Sequence, residues 1–244
     1  MKLTIKRFKF LKFWKEVEER QEWIIQQLLN VPNGLKLLDA GAGECQFKPY
    51  CSHLEYVAQD FCQYDGLGDG RSLHHGKQWD TSRIDIISDI TNIPVAADSF
   101  DVVLCTEVLE HLPDPIAAIH ELDRVLKCGG TMILTAPFAS AAHQSPYHFC
   151  TGFNKYFYET ALAEKYNIEQ LKPYGNWFEY TALEVSMIKV AVEKYTDKKI
   201  NLWDKILMGL LILRLKKYSK IADHSENLRC FGYMCVAKKI KNRC

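Results

Sequence analysis

The chain of 244 residues carries 31 lysine and arginine residues against 30 aspartate and glutamate residues, and 48% of it is hydrophobic. This length allows one large α/β domain, and a net charge of +1 gives no global basic field that would favour nucleic acid. The longest apolar run, Ile206 to Leu213, is far shorter than the ~20 residues of a membrane-spanning helix.

Nine cysteines are scattered along the chain without a C-x-x-C pair or neighbouring histidines at ligand spacing, so we predict no zinc site and no other metal. Their odd number and the lack of a signal peptide pattern predict reduced thiols in a cytoplasmic protein. His74 and His75 are adjacent. Neighbouring side chains rarely converge on one ion without further ligands, so a metal there is the weaker alternative.

Residues 1–34 are predicted to form an N-terminal helical arm. Basic and aromatic side chains interleave over residues 1–14, and apolar residues then recur at helical spacing up to the turn at 31–34. We favour a helix that packs over a ligand cleft. The alternative is a peripheral membrane contact through residues 1–14.

A buried strand over 35–40 is predicted to run into a glycine turn. Gly41 and Gly43 would allow positive φ and bring a ligand against bare backbone. We expect a helix over 44–53, with unpaired N–H groups at its start. Asp39 adds a negative acceptor at the strand end, which suits a nucleoside or an amine and repels a pyrophosphate.

Two further acidic residues follow predicted strands in the same way. The strand over 54–59 ends at Asp60, about 20 residues after the glycine turn, where an acid can bind two ribose hydroxyls. A strand over 84–88 ends at Asp89. Core packing gives no reason for an acid at successive strand ends, so this pattern indicates a ligand.

Strands and helices alternate through the rest of the core. We predict a strand over 100–105, a helix that begins near Pro115 and ends at a glycine cap over 128–130, and a fifth strand over 131–136. This alternation predicts a doubly wound parallel sheet, in which ligands bind beyond the carboxyl ends of the strands.

The stretch from Ser99 to Leu112 reads S-F-D-V-V-L-C-T-E-V-L-E-H-L. With it, residues 35–140 resemble the small-molecule branch (type 11-like) of the class I S-adenosylmethionine-dependent methyltransferases, and the C-terminal strand resembles it more weakly. The resemblance implies a Rossmann-like, doubly wound seven-stranded α/β sheet with an antiparallel last strand, an N-terminal helix and a helical lid. It also implies an enzyme whose cofactor is S-adenosyl-L-methionine.

The resemblance assigns the first cofactor contacts to the glycine turn and the second strand. Asp39, Gly41 and Gly43 match the motif that contacts the methionine end of the cofactor. Asp60 matches the acid that binds the ribose hydroxyls. Cys45 stands where many members of the family have a third glycine.

The remaining implied contacts follow the third and fourth strands. Asp89 matches the acid that accepts from the adenine amino group, with the Ile90 amide beside it. Cys105 and Thr106 match the backbone segment beside the methionine moiety. The acids at the strand ends suit a cationic ligand that carries a ribose.

Residues 137–228 are predicted to form the substrate-side lid and helices of a single domain over 1–244, before a last strand at 229–239. Aromatic and histidine residues between 137 and 155 suit an apolar or ring-bearing acceptor. We predict His148 and His111 as catalytic bases, with His143 as a further candidate. For each, an ordinary hydrogen-bonded histidine is the alternative.

A strongly apolar helix from Trp203 is predicted to run into a basic cluster that ends at Lys220. Core or cap packing is the default interpretation. The alternative is that 203–220 meets a lipid-linked acceptor or an anionic membrane surface.

We therefore predict a methyltransferase that acts, at oxygen, on a small-molecule, glycan-like or lipid-linked acceptor. A catalytically silent binding module with the cofactor fold is one alternative. A nicotinamide-dependent oxidoreductase is another, disfavoured because the chain has no G-x-G-x-x-G. We expect no nucleic-acid partner, and the oligomeric state stays open.

Overall fold

The computed structural model describes residues 15–70, 72–73 and 76–240. The chain forms two compact units. Among the described residues, the helical unit contains those up to Arg20 together with Pro173–Phe231, and the sheet unit contains those of Gln21–Lys172 and those from Gly232 to residue 240. The membrane contact predicted for residues 1–14 and the metal considered at His74 and His75 fall outside the described residues.

The described residues build a seven-stranded sheet with the order β3-β2-β1-β4-β5-β7-β6, which confirms the predicted fold class. β1 pairs in parallel with β2 and β4, β2 with β3, and β4 with β5, whereas β7 runs antiparallel to β5. The strand order reverses between β1 and β4, where open sheets of this kind bind ligands. The strands are β1 (Lys36–Ala40), β2 (Glu55–Asp60), β3 (Ile86–Ile87), β4 (Phe100–Thr106), β5 (Leu126–Pro137), β6 (Tyr166–Tyr174) and β7 (Gly232–Lys239).

Five α-helices accompany the strands in the described part of the chain. Capping residues set where several of them begin. Asp114 accepts a hydrogen bond from the Ala117 amide at 2.9 Å, with Pro115 at the first turn, and Asn201 forms a capping box with Asp204. The helices are α1 (Lys15–Leu29), α2 (Pro115–Val125), α3 (Lys155–Leu162), α4 (Trp177–Tyr195) and α5 (Leu202–Ser219).

The core of the sheet unit lies between the sheet and the helices beside it. Ile24 and Leu28 of α1 are fully buried and belong to one cluster with Leu37 of β1 and Leu104 of β4. The helical spacing of the apolar residues in α1 is therefore explained by packing on the first and fourth strands.

The predicted helix over 44–53 is wrong. The segment forms turns and a single 3₁₀ turn, Lys48–Tyr50. Gly41, Gly43 and Cys45 all have positive φ, at 74°, 53° and 55°, so the chain cannot enter a right-handed helix there. The helix N-terminus expected beside the glycine turn is consequently not formed.

Several predicted boundaries also move because tertiary pairing outweighs local signals. α2 ends at Val125 and β5 begins at the next residue, so Gly129, with φ 74°, lies inside β5 and does not cap the helix. α3 ends at Leu162, and β6 begins at Tyr166, whose hydroxyl donates to Asp123 at 2.9 Å. The third strand shortens to Ile86–Ile87.

Most of the described cysteines are free thiols, as expected. Cys128, however, is disulfide-bonded, so the prediction of reduced thiols is wrong at this position. The free cysteines are Cys45, Cys51, Cys62, Cys105, Cys150, Cys230 and Cys235.

The helical unit has a small core and a large apolar exterior. Ile212 and Leu215 of α5 pack against Ala182 and Val185 of α4. Other large side chains of α5 stay exposed, with Trp203 73% exposed. In the described parts of the chain, none of the helices combines the length and the hydropathy needed to span a membrane.

Candidate functional site

The glycine turn after β1 is held against the end of β2. The amides of Gly41 and Ala42 both donate to the Gln59 carbonyl oxygen at 2.9 Å. Gly41 has φ 74°, and a Cβ atom there would clash with the side chain of Val108. Glycine is therefore required at this position for its backbone conformation and for the close approach of Val108.

Asp60 lies at the carboxyl end of β2 with both carboxylate oxygens oriented by backbone amides. Oδ2 accepts from the Gly43 amide at 2.9 Å and Oδ1 accepts from the Cys62 amide at 2.8 Å. The side chain is nearly buried. Each carboxylate oxygen can accept a second hydrogen bond, so the group is positioned to receive two adjacent hydroxyls.

Asp39 at the end of β1 is buried and accepts a hydrogen bond from the hydroxyl of Tyr56. Burial raises the pKa of Asp39 to about 7, the Tyr56 hydrogen bond opposes the rise, and the negative charge of Asp60 adds to it. Near neutral pH the carboxyl group is thus close to half protonated. A cationic amine brought beside it would favour the ionised form.

Asp89 follows β3 and is exposed. Its Oδ1 accepts from both the amide and the hydroxyl of Thr91, each at 2.8 Å, which fixes the orientation of the carboxylate. The neighbouring Ile90 is buried. This pair offers an oriented acceptor beside an apolar side chain, the combination that the flat face and amino edge of a purine need.

Cys105 and Thr106 form the last two residues of β4. Cys105 is fully buried, and burial raises the pKa of its thiol, so the side chain is unsuited to act as a nucleophile. After Thr106 the chain turns at Glu107, which has φ 54° and donates its amide to the Thr135 carbonyl at 2.9 Å. A ligand beside this segment would therefore contact its backbone atoms.

Two long loops at the carboxyl edge of the sheet are joined to each other. The Leu73 amide donates to the Ala142 carbonyl at 3.1 Å, and the Gln144 amide donates to the Leu73 carbonyl at 2.9 Å. The hydroxyl of Ser72 donates to that of Ser145 at 2.7 Å. These contacts connect the loop after β2 to the loop after β5, so both loops frame the same edge.

Three histidines gather around one buried glutamate at this edge. The ring of His143 lies 4.7 Å from that of His111 and 4.8 Å from that of His148. Glu110 is only 1% exposed, and its Oε1 lies 3.7 Å from Nε2 of His111 and 3.9 Å from Nε2 of His143. The Glu110 carbonyl also accepts from the Phe149 amide at 2.9 Å, which ties the β5 loop to the turn after β4.

The hydrogen bonds of His111 and His143 fix their tautomers. Nδ1 of His111 lies 2.5 Å from the Tyr147 carbonyl oxygen, and Nδ1 of His143 lies 3.0 Å from that of Ala141. Since a carbonyl oxygen can only accept, each Nδ1 carries a proton, and in the neutral form of either ring the lone pair is on Nε2, which faces Glu110. Burial, with a smaller effect of His143, lowers the pKa of His111 to about 4.

His148 has the opposite arrangement. Its Nε2 lies 3.1 Å from the hydroxyl oxygen of Ser140, which donates to the Thr151 carbonyl at 3.1 Å. The hydroxyl therefore accepts from Nε2–H, and Nδ1 of His148 carries the lone pair. Burial is the main cause that lowers the pKa of His148 from its usual value, so the ring is a neutral base at physiological pH.

The structure brings the predicted residues into two groups at one edge of the sheet unit. The predicted cofactor residues lie at or just beyond the carboxyl ends of β1 to β4, and the three candidate bases form one cluster. Sequence reasoning missed Tyr56, Gln59 and Glu110. Only Glu110 had a signal, since it precedes His111 in the stretch that carried the family resemblance; the others depend on strand register.

Residues 38–134 match the family model of a methyltransferase domain. The ubiquinone biosynthesis O-methyltransferase of Xanthomonas axonopodis pv. citri (strain 306) is 34% identical over 107 residues, which cover 43% of this chain and 44% of that protein. An uncharacterized methyltransferase of Mycobacterium sp. (strain JLS) is 31% identical over 106 residues, 43% of this chain and 39% of that protein. The chain thus covers less than half the length of these curated relatives.

Solved structures share the fold over most of the chain. The [4+2]-cyclase SpnF superposes with a TM-score of 0.54 at 16% identity and covers 93% of this chain and 82% of that one. The YcgJ protein of Bacillus subtilis superposes with a TM-score of 0.52 at 13% identity, covering 92% of this chain and 99% of that one. At such identities the likeness concerns the fold, which by itself does not fix the reaction.

Proposed function

Because residues 38–134 match the family model of a methyltransferase domain, we propose that the protein binds S-adenosyl-L-methionine and transfers its methyl group to a hydroxyl oxygen. The acceptor is a small ring-bearing molecule, free or linked to a glycan or a lipid. The single observation that carries the proposal is the set of oriented carboxyl groups at the ends of three adjacent strands, Asp39, Asp60 and Asp89.

Each carboxyl group fits one part of the proposed cofactor. Asp60, with both oxygens fixed by amides, suits the two ribose hydroxyls. Asp89 and the buried Ile90 suit the adenine amino edge and ring. Asp39 lies beside the glycine turn, where a methionine amino group would favour its ionised form.

The acceptor side supplies a proton acceptor. The donor methyl on a sulfonium is already activated, so the protein needs chiefly to align donor and acceptor and to remove the hydroxyl proton. His148 is neutral with its lone pair on Nδ1, and His111 presents Nε2. We assign the base role to His148 because it is more exposed than His111 and lies on the β5 loop.

Transfer to oxygen is also supported by the relatives. The Xanthomonas protein is named an O-methyltransferase of ubiquinone biosynthesis. An acceptor hydroxyl on an aromatic ring would match the aromatic residues of the β5 loop, among them Tyr147, which packs edge-on against Phe61 at 5.0 Å. The acceptor class is therefore proposed as ring-bearing.

Calorimetry of the purified protein with three ligands tests this proposal. We expect binding of S-adenosylmethionine and S-adenosylhomocysteine and none of NAD. Binding of NAD alone would support the oxidoreductase alternative, and a lack of binding would support the silent module. A screen of phenolic and lipid-linked hydroxyl acceptors, scored by production of S-adenosylhomocysteine, then tests the transfer.

The exposed apolar face of α5 supports a proposal for where the protein works. Trp203, Leu207 and Leu210 are largely exposed, and the helix ends in the basic residues Lys216 and Lys217. A contiguous apolar surface beside basic side chains suits an anionic membrane. We therefore propose peripheral membrane contact through α5, consistent with a lipid-linked acceptor.

Sedimentation with vesicles of phosphatidylglycerol or phosphatidylcholine tests this contact. We expect the wild-type protein to sediment with the anionic vesicles only. A Leu207→Glu, Leu210→Glu variant should remain in the supernatant and keep its cofactor affinity, because both side chains are exposed. Equal sedimentation of the wild type and this variant would refute contact through α5.

A further inference from the structure

The cluster around Glu110 has the composition and geometry of a metal-binding site. We propose that Glu110, His111 and His143 bind one divalent metal ion of the zinc type, with a fourth position open toward solvent. The three residues come from two segments, the 3₁₀ turn after β4 and the loop after β5. A metal site was not predicted from the sequence, since these segments are about 30 residues apart.

The ligand atoms are close enough to share an ion. One ligand atom from each residue lies within 4.8 Å of the others. The Glu110 oxygen is 3.7 Å from Nε2 of His111 and 3.9 Å from Nε2 of His143. Ligands at ~2.1 Å from a tetrahedral ion lie ~3.4 Å apart, so small rotations of the side chains would complete the site.

The hydrogen bonds of both histidines match those of metal ligands. Each Nδ1–H donates to a backbone carbonyl, of Tyr147 and of Ala141, and this contact fixes the ring with its Nε2 lone pair toward Glu110. Nε2 of His111 is buried and has no hydrogen-bond partner among the described residues. A cation at this point would give the buried Nε2 of His111 a partner and would lie beside the Glu110 carboxylate.

Solvent can reach the proposed site from the side of His143. Glu110 is buried, whereas His143 is 27% exposed. Three protein ligands with one open position are typical of catalytic zinc sites, in which water or substrate takes the fourth place. If the proposed function holds, the acceptor hydroxyl would take this place, but the binding of the metal does not depend on methyl transfer.

Metal titration of the protein without an affinity tag tests the proposal. The protein is stripped with a chelator, reconstituted with Zn²⁺ or Co²⁺, and analysed for metal content and for the visible absorption of tetrahedral Co²⁺. We expect about one equivalent of metal. His143→Ala and His111→Ala should each weaken binding by at least tenfold, since loss of an outer contact alone costs about 10–100-fold.

Two controls make the result specific. His120→Ala, on the exposed face of α2, should leave metal binding unchanged. The affinity for S-adenosylmethionine should stay the same in His143→Ala, which separates failure of the metal site from failure of the proposed function. Because His143 lies on a partly exposed loop, this variant is informative even if His111→Ala does not fold.

Three outcomes would overturn the proposal. The first is wild-type protein that retains no metal after reconstitution. The second is unchanged metal binding in His143→Ala and His111→Ala. The third is binding that is lost only in a His74→Ala, His75→Ala variant, which would assign the ion to the adjacent pair.

Discussion

The predicted cofactor residues and the histidine cluster share one edge of the sheet, but they are built differently. Asp60 is fixed by the amides of Gly43 and Cys62, and the glycine turn donates its own amides to the Gln59 carbonyl at the end of β2. The histidine cluster is assembled from two loops, and its acceptor atoms converge on one another. The first region is thus held by backbone hydrogen bonds, whereas the second depends on side-chain contacts between the two loops.

This difference predicts how each region responds to change. Backbone geometry and burial determine the cofactor side, so conservative substitutions there should have large effects. The histidine cluster depends on contacts between loops, so the loss of a single contact should increase the local mobility of these loops only.

The largest effect is expected for Gly41→Ala. Left-handed backbone costs an alanine about 1–2 kcal/mol, and the clash with Val108 adds about 1–3 kcal/mol. We expect a lower free energy of unfolding in urea and a loss of cofactor affinity of more than about 100-fold.

Gly34→Ala is the matched control for this change. Gly34 has a similar φ of 79° but nothing within 4 Å of an added Cβ atom. Gly34→Ala should lower the free energy of unfolding only by the cost of the left-handed backbone conformation. Its affinity for the cofactor should equal that of the wild type. Equal effects of the two substitutions would mean that the approach of Val108 is unimportant.

The second effect concerns the stability of the cofactor-free protein with pH. The pKa of Asp39, raised to about 7 by burial, exceeds that of an unfolded aspartate, so the folded state holds more protons between pH 4 and pH 7. The contribution of Asp39 to stability is therefore present below pH 4 and is lost as the pH rises through 7. Asp39→Asn, which stays neutral, should gain about 3 kcal/mol relative to wild type over this range.

Denaturant unfolding of both proteins at pH 4.5 and pH 8 measures the difference. Asparagine at position 39 keeps a side-chain oxygen that can accept from the Tyr56 hydroxyl, so the hydrogen bond itself is not tested. An equal pH dependence of wild type and variant would show that Asp39 is ionised throughout.

The third prediction compares the loss of cofactor affinity caused by substitutions at two acids that the proposed cofactor would contact. Asp60→Asn should weaken cofactor binding by about 10–100-fold, because hydrogen bonds to a charged group contribute about 1.5–3 kcal/mol. Asp89→Asn should cost less, since Asp89 is exposed. Calorimetry with the cofactor measures which of the two variants loses more affinity. As a control, Asp197→Asn, at an exposed position of the helical unit, should leave the cofactor affinity unchanged.

The smallest effect is expected for Ser145→Ala at the junction of the two loops. The substitution removes the hydrogen bonds of Ser145 with Ser72 and Asp69, which costs about 1 kcal/mol. Hydrogen exchange should become faster in residues 61–82 and 138–150, with an unchanged affinity for the cofactor. A marked loss of affinity would show that the two regions are coupled.

The sequence predicted the parts of the fold that local patterns specify. Continuous apolar runs located β1, β2 and β4, and the acids that follow β1 to β3 were found because chain order and sheet topology place them together. The predicted helix over 44–53 was wrong because positive φ at Cys45 is not visible from the residue type. Cys45 adopts the left-handed conformation at the position where many members of the family that the sequence resembles carry glycine.

By itself, the sequence determined the class of fold, the glycine turn and the three acids, because these depend on periodicity and on residue type within short segments. Only the tertiary structure decided the environment of those groups. Tyr56 meets Asp39 through strand register, and Glu110 meets His143 through loop contacts across about 30 residues. Burial and the direction of a lone pair arise from such distant contacts, so the protonation of Asp39 and the histidine cluster could not be derived from the sequence.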